Sequence, residues 1–199
     1  PFGADDVFLA SAPLTHGSSH FVLPVLGAGG RLVLTAGADS DRLVDVMAME
    51  AVTSGFMPPT LIGRIAERAE ARGEALPVLK RLIYGAAPFP EAALARAQDR
   101  LGPRIAGLYG QTEAPMTITT IDEATLAEPG LAACVGAPGP LSEVSVLDPD
   151  GRPVAQGEEG EIAVAGPLLM DGYLDQPEKT AKTIRKGWLM TGDVGRLDD

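Results

Sequence analysis

Short apolar runs alternate with helix-like stretches over roughly the first 110 residues. Residues 7–10, 31–35, 55–57, 81–84 and 104–108 read as strands, and the alternation is that of an α/β layer fold. The runs are continuously apolar, so the sheet is expected to be covered on both faces. Between them, Leu43, Met47 and Ala51 recur on one face of a helix capped by Ser40, with Asp41 well placed against its positive end. Pro58 and Pro59 open a second helix with Leu61, Ile65 and Ala69 on one side and Arg64, Glu67 and Arg68 on the other. A third begins at Pro90, carries Leu94, Ala97 and Leu101 as its stripe, and stops at Gly102 and Pro103.

Beyond about Ile121 the helical period fades. Asp148, Pro149, Asp150 and Gly151 form a turn signal between strand-like residues 143–147 and 161–165, predicting a hairpin or meander, and 176–185 suits a short surface helix. The expected organisation is an α/β subdomain over 1–121 and a β-rich, distorted barrel-like region over 122–199. Charge follows this division. Residues 1–100 carry nine basic and eleven acidic side chains, residues 101–199 seven and sixteen, within a net charge of −11 for 199 residues. So acidic a chain is repelled by nucleic acid and by anionic membrane surfaces.

Other chemistry is excluded residue by residue. One cysteine, Cys134, allows no internal disulfide, and with two histidines no thiolate-rich zinc site; a reducing, cytoplasmic setting is the expectation. Cys134 reads as a small apolar residue and Trp188 as a core residue. The longest apolar stretch, 22–34, is broken by Pro24, Gly27, Gly29 and Gly30, so no membrane span is predicted. Pro1 is not a native start, and the chain reads as an interior segment of a longer one. No Gly-Lys pair exists for a Walker-type phosphate loop, and the glycines at 27–30 lack the spacing of a dinucleotide fingerprint. Gly17-Ser18-Ser19-His20 lacks the nucleophile elbow of a serine hydrolase.

Three segments pair glycine with hydrogen-bonding or aromatic groups at the ends of predicted strands: Gly85-Ala86-Ala87-Pro88, Tyr109-Gly110-Gln111-Thr112-Glu113, and Thr191-Gly192-Asp193. Ligands of open α/β sheets collect at the carboxyl ends of strands, and small residues there let a flat ring approach the backbone. Tyr109 offers a stacking face, Thr112 a hydroxyl for a phosphate oxygen, Glu113 a hard oxygen ligand for Mg²⁺, and Asp193 an acceptor for two ribose hydroxyls. Together these roles describe a nucleotide. Taken singly each has a plainer reading: a strand-to-helix turn at 85–88, a helix cap at Thr112 and Glu113, a half-buried core aromatic at Tyr109, a turn carboxylate at Asp193.

Tyr-Gly-Gln-Thr-Glu at 109–113, with Gly-Ala-Ala-Pro upstream and Gly-Trp-Leu-Met-Thr-Gly-Asp at 187–193, resembles the adenylate-forming superfamily of acyl-CoA synthetases, peptide-synthetase adenylation domains and luciferases. Pro13-Leu14-Thr15-His16 and Gly160-Glu161-Ile162-Ala163-Val164 fall in family order, so the resemblance covers essentially the whole chain. It implies that Gly85, Ala86, Ala87 and Pro88 line an adenine site on which Tyr109 stacks, with Gly110 and Gln111 alongside. Thr112 would hold the α-phosphate, Glu113 the magnesium, and Asp193 the ribose. His16 would gate the acyl pocket, with Gly107 and Leu108 beside the acyl chain. His16 and His20 also read as packing residues.

The implied activity is ATP-dependent formation of an acyl-AMP from a small-molecule carboxylic acid, then of an acyl-CoA, with ATP, Mg²⁺ and coenzyme A taking part. Peptide-synthetase domains usually place Phe-Asp near the position of residues 14–16, and no such Asp stands here. A fatty or aromatic acid is therefore favoured over an amino acid, with a non-catalytic nucleotide-binding module as the other alternative. The family's lysine-bearing phosphate loop and its small C-terminal domain would lie outside these residues, together with the basic groups that meet the triphosphate. The segment alone is thus expected to form no adenylate at a useful rate. A homodimer is compatible with the sequence.

Overall fold

The computed structural model describes residues 2–37, 39–128 and 130–198. The expected ends, Pro1 and Asp199, lie outside the described residues. Contacts gather the chain into two units. The first takes in residues up to Leu108 together with Ile121–Gly136, the second Tyr109–Thr120 and the residues from Ala137 on.

In the first unit, strands β1 (Val7–Ala10), β2 (Arg31–Leu34), β3 (Ser54–Met57), β4 (Arg81–Tyr84) and the start of β5 (Ile105–Gln111) lie in the order β2-β1-β3-β4-β5. All four pairings are parallel. Helices α1 (Val22–Gly27), α2 (Ser40–Met49), α3 (Pro59–Ala71) and α4 (Glu91–Leu101) make the crossovers, and a short α5 (Glu123–Leu126) follows later in the chain. Two of these helices start where proline forbids an earlier start. Pro58 is extended and Pro59 occupies the first turn of α3, while α4 follows extended Pro90 and ends at Gly102, whose φ of 75° breaks the helical path.

One sheet face carries Leu9, Met57, Leu82 and Ile105 against Leu43, Met47, Ile62, Ile65 and Leu94 of α2, α3 and α4. Burying each such side chain contributes about 1.5–3 kcal/mol before chain entropy is counted. The other face carries an aromatic stack in which Phe21 lies 4.9 Å from Phe8 and 5.4 Å from Phe56, ring centre to ring centre. Both faces are covered, as the apolar strand runs predict. Cys134 is half-buried against the main core, as a small apolar residue.

Several boundaries differ from expectation. Asp39, not Ser40, caps α2: its carboxylate accepts the Arg42 N–H at 2.9 Å. Ala51, expected on the α2 stripe, lies past the helix end with φ 52°. β5 runs three residues beyond the expected end at Leu108.

In the second unit, the end of β5 turns at Thr112 and Glu113 into β6 (Ala114–Ile121), which pairs antiparallel with β7 (Ala137–Pro138). No helix starts at Thr112 and Glu113, so the helix-cap reading of that pair is wrong; they form a hairpin tip. Strands β8 (Glu143–Leu147) and β9 (Gly160–Ala165) pair antiparallel, as the turn at 148–151 predicts. Helix α6 (Pro177–Thr183) precedes β10 (Ile184–Arg185) and β11 (Trp188–Gly195), completing an antiparallel sheet in the order β10-β11-β9-β8. Ala114, Ile118, Val164 and Leu189 form its core. Trp188, expected in the core, is half-buried opposite Arg185.

Candidate functional site

The second unit holds a cluster of polar side chains around a break in β11. Met190 pairs with Ala163 and Val194 with Glu161, so three residues of β11 face one of β9 between those pairs. That surplus of two lets Thr191-Gly192-Asp193 loop out of the ladder as a bulge. Gly192 takes φ 79°, which suits glycine, and its N–H donates to Glu161 Oε1 at 2.9 Å. Thr191 Oγ1 donates to the Ile162 carbonyl at 2.7 Å and accepts the Asp193 N–H at 3.1 Å. Strand geometry alone would leave Asp193 in the ladder; the bulge turns it out.

What meets Asp193 is the end of β5. The Tyr109 hydroxyl donates to Asp193 Oδ2 at 2.6 Å, and Gln111 Nε2 donates to the same oxygen at 3.1 Å and to the Thr191 carbonyl at 2.8 Å. Burial, reinforced by the carboxylate beside it, pushes the Tyr109 phenol well above the usual tyrosine range, so it stays a donor. Both donors use Oδ2, which leaves the lone pairs of Oδ1 for hydroxyls of a ligand.

One turn along the hairpin, Glu113 is half-buried, and its Oε1 accepts the Tyr173 hydroxyl at 2.7 Å. That hydrogen bond, more than burial, raises the Tyr173 phenol above its usual range. Thr112 is exposed at the hairpin tip, and Gly110 lies within β5. A cleft of about 300 Å³ is lined by Gln111, Glu113, Tyr173, Lys182, Arg185 and Thr191, among others. Lys182 and Arg185 are noteworthy in a chain of net charge −11, because the cations for a triphosphate were expected to lie wholly outside these residues.

The remaining candidates lie in the first unit. Gly85 follows β4, where a Cβ would stand 2.9 Å from the Phe56 ring and 3.1 Å from Leu108 Cδ1. Ala86 takes φ 67°, a strained left-handed conformation for a non-glycine residue, while Ala87 and Pro88 are exposed. Tyr84 and Phe89, edge to face at 5.3 Å, staple the turn at both ends. At Gly107 a Cβ would fall 2.7 Å from Tyr84 Cζ and 2.8 Å from Ile121 Cγ2, so its missing side chain is room already used by the core. His16 is exposed before a 3-10 turn, its Nδ1 2.9 Å from Thr15 Oγ1, and His20 is exposed as well.

The structure thus brings Tyr109, Gln111 and Asp193 together, with Glu113 in the neighbouring cleft. Sequence reasoning missed Glu161 and Tyr173. Glu161 lies 31 residues from the N–H it holds, Tyr173 60 residues from Glu113, and no local pattern marks either separation; the one hint is the glycine before Tyr173.

The model of the family described as AMP-binding enzyme matches residues 1–174. The chain belongs to that family. Among curated AMP-binding relatives, the medium/long-chain-fatty-acid–CoA ligase FadD8 of Mycobacterium tuberculosis is 36% identical over 195 residues, which is 98% of this chain and 34% of the relative. A feruloyl-CoA synthase from an Amycolatopsis species is 36% identical over 197 residues, 98% of this chain and 40% of the relative. Among solved structures, the amide bond synthetase McbA of Marinactinospora thermotolerans superposes with a TM-score of 0.92 at 31% identity, over 99% of this chain and 40% of that one. The chain therefore spans little more than a third of the length of these proteins. Among the described residues, no helix is long and apolar enough to cross a membrane.

Proposed function

We propose that this chain is the nucleotide-holding part of an enzyme that activates a carboxylic acid with ATP and passes the acyl group to coenzyme A. In the first step a carboxylate oxygen bonds to the α-phosphorus of ATP and the bond to pyrophosphate breaks, giving acyl-AMP. In the second a thiol attacks the acyl carbon and AMP departs. Both reactants in the first step are anions, so fixed donors and cations matter more than acid or base groups.

The observation that carries this reading is the bulge at 191–193, which turns out Asp193 with Oδ2 already held by Tyr109 and Gln111 and Oδ1 open to ribose hydroxyls. Tyr109 would flank the base; Gly85, Ala86, Ala87 and Pro88 are proposed as adenine-lining residues on the sequence resemblance. Thr112, exposed at the hairpin tip, would donate to the α-phosphate, and Lys182 and Arg185 would add positive charge. His16, Gly107 and Leu108 are proposed for the acyl side. The relatives named as fatty-acid and feruloyl-CoA enzymes support an apolar or aromatic acid.

Mg²⁺ fits the residues present in one way. Among the described residues no group of three or more His, Cys, Asp or Glu is arranged as a metal cage. A magnesium ion commonly binds through one or two carboxylates plus substrate phosphates, and Glu113 supplies such a carboxylate. When bound, the ion would neutralise phosphate charge. A cytoplasmic setting is part of the proposal, and sedimentation would test for a homodimer.

Calorimetric titration of AMP into the chain and its Asp193→Ala variant tests the reading. The variant should bind at least about tenfold more weakly, as expected for losing a charged acceptor of two hydrogen bonds. Equal affinities would overturn the assignment.

A further inference from the structure

Glu113 does not stand alone. Tyr173 donates its phenolic hydrogen to Oε1 at 2.7 Å, and Met170 N–H donates to the Glu113 backbone carbonyl at 2.9 Å, so the 170–173 segment grips both ends of the residue. Tyr173 is itself fixed from two sides: its N–H donates to Thr180 Oγ1 at 2.9 Å, and the Lys179 ammonium sits 3.7 Å from the ring centre. Thr180 is held in turn, its hydroxyl donating to the Gln176 carbonyl at 3.0 Å. Gly172 makes this docking feasible: at φ 153°, a Cβ there would lie 2.8 Å from Thr180 Cγ2 and 2.9 Å from its Oγ1.

Packing does not account for this arrangement. Tyr173 and Glu113 are only half-buried, and Lys179 is exposed. The chemistry of the contact is more informative. A lysine or arginine on Oε1 would cancel the carboxylate charge and compete with a cation, whereas a neutral phenol orients the group and leaves its charge intact. An unrestrained glutamate also loses rotamer freedom when immobilised, and part of that loss is taken before any ligand arrives.

Resting on the reading of Glu113 as the magnesium ligand, we propose that Tyr173 is a positioning residue, holding Oε1 so that Oε2 faces the Mg²⁺ of bound ATP. In this role Tyr173 acts through Glu113. Thr180 and Lys179 act one step behind it by fixing the phenol.

The test is the affinity of the chain for ATP, measured by calorimetry once with Mg²⁺ and once with EDTA, in the wild type, Tyr173→Phe, Glu113→Gln and the double variant. The gain in affinity on adding Mg²⁺ is the readout. Tyr173→Phe should reduce that gain about 5–10-fold, the loss of one charge-assisted hydrogen bond at a half-exposed site, and leave the EDTA affinity unchanged. Glu113→Gln should abolish the gain, and adding Tyr173→Phe to it should change nothing more. Thr180→Val, which loosens the phenol without touching Glu113, should shift the gain in the same direction and guards against misfolding of the first variant. An undiminished gain in Tyr173→Phe overturns the proposal, as does an equal loss in EDTA, which would mark a purely structural role. If the wild type shows no Mg²⁺-dependent gain, the Glu113 assignment fails and this proposal with it. If it binds no ATP at all, the nucleotide reading itself fails.

Discussion

The Tyr109 hydroxyl stands 2.6 Å from Asp193 Oδ2, so a residue expected to offer only a ring face also holds the carboxylate expected to bind ribose. Tyr109→Phe keeps the ring and removes that bond. AMP should then bind about 3–10-fold more weakly, since a hydrogen bond to a charged group at an exposed site is worth about 1 kcal/mol. Calorimetric titration separates this from stacking: Tyr109→Leu should lose more, and unchanged affinity in Tyr109→Phe would show that Gln111 alone suffices to hold Asp193.

Gly107 is a packing glycine before it is anything else. Adding one methyl at 2.7 Å from the buried Tyr84 ring and 2.8 Å from Ile121 forces one of them to move. Gly107→Ala should destabilise the first unit by about 1–3 kcal/mol, the usual range for overpacking, read as a lower denaturant midpoint. A neutral outcome would mean that the Tyr84 ring swings aside at little cost.

Asp6 is almost fully buried, and its carboxylate accepts from the Gly3 N–H, the Thr53 hydroxyl and the Lys80 ammonium, each at 2.8 Å. Burial alone would raise its pKa, but Lys80, Gly3 and Thr53 together outweigh burial and hold it below the usual aspartate value. A group with a depressed folded pKa stabilises the fold above its unfolded pKa of about 3.9, and that contribution is lost as pH falls through the lower folded value. Asp6→Asn should therefore cost about 1–3 kcal/mol at neutral pH, with the gap to wild type constant down to about pH 5 and closing below about pH 4. Thermal unfolding followed by circular dichroism from neutral pH down to about pH 2 checks it; a gap independent of pH would assign the loss to geometry rather than charge.

Much of the first unit was legible because its signals are local. Prolines at 58, 59 and 90 and the glycine at 102 start and stop helices through their own backbone limits, and apolar runs such as 7–10 and 81–84 are strands in full. Ser40 misled because Ser and Asp cap equally well and stand side by side, so only the observed Asp39 to Arg42 hydrogen bond separates them. The hairpin at 112–113 was missed for a related reason: Thr followed by Glu is a common helix-starting pair, and nothing within the five-residue motif shows that β6 follows. At the site, the residue types for a nucleotide were readable one by one. Their supports were not, because Glu161 to Gly192 and Tyr173 to Glu113 are pairings between distant parts of the chain.

The break in β11 also obeys a parity rule. Side chains of a strand alternate faces with a period of two, and between Met190 and Val194 the strand advances four residues while β9 advances two. The surplus is even, so Leu189 before it and Gly195 after it keep the faces that an unbroken strand would have given them. Lengthening or shortening this loop by one residue would invert every side chain downstream, whereas a change of two would leave the sheet's alternation intact. The motif can thus vary in even steps without renegotiating the core beneath it.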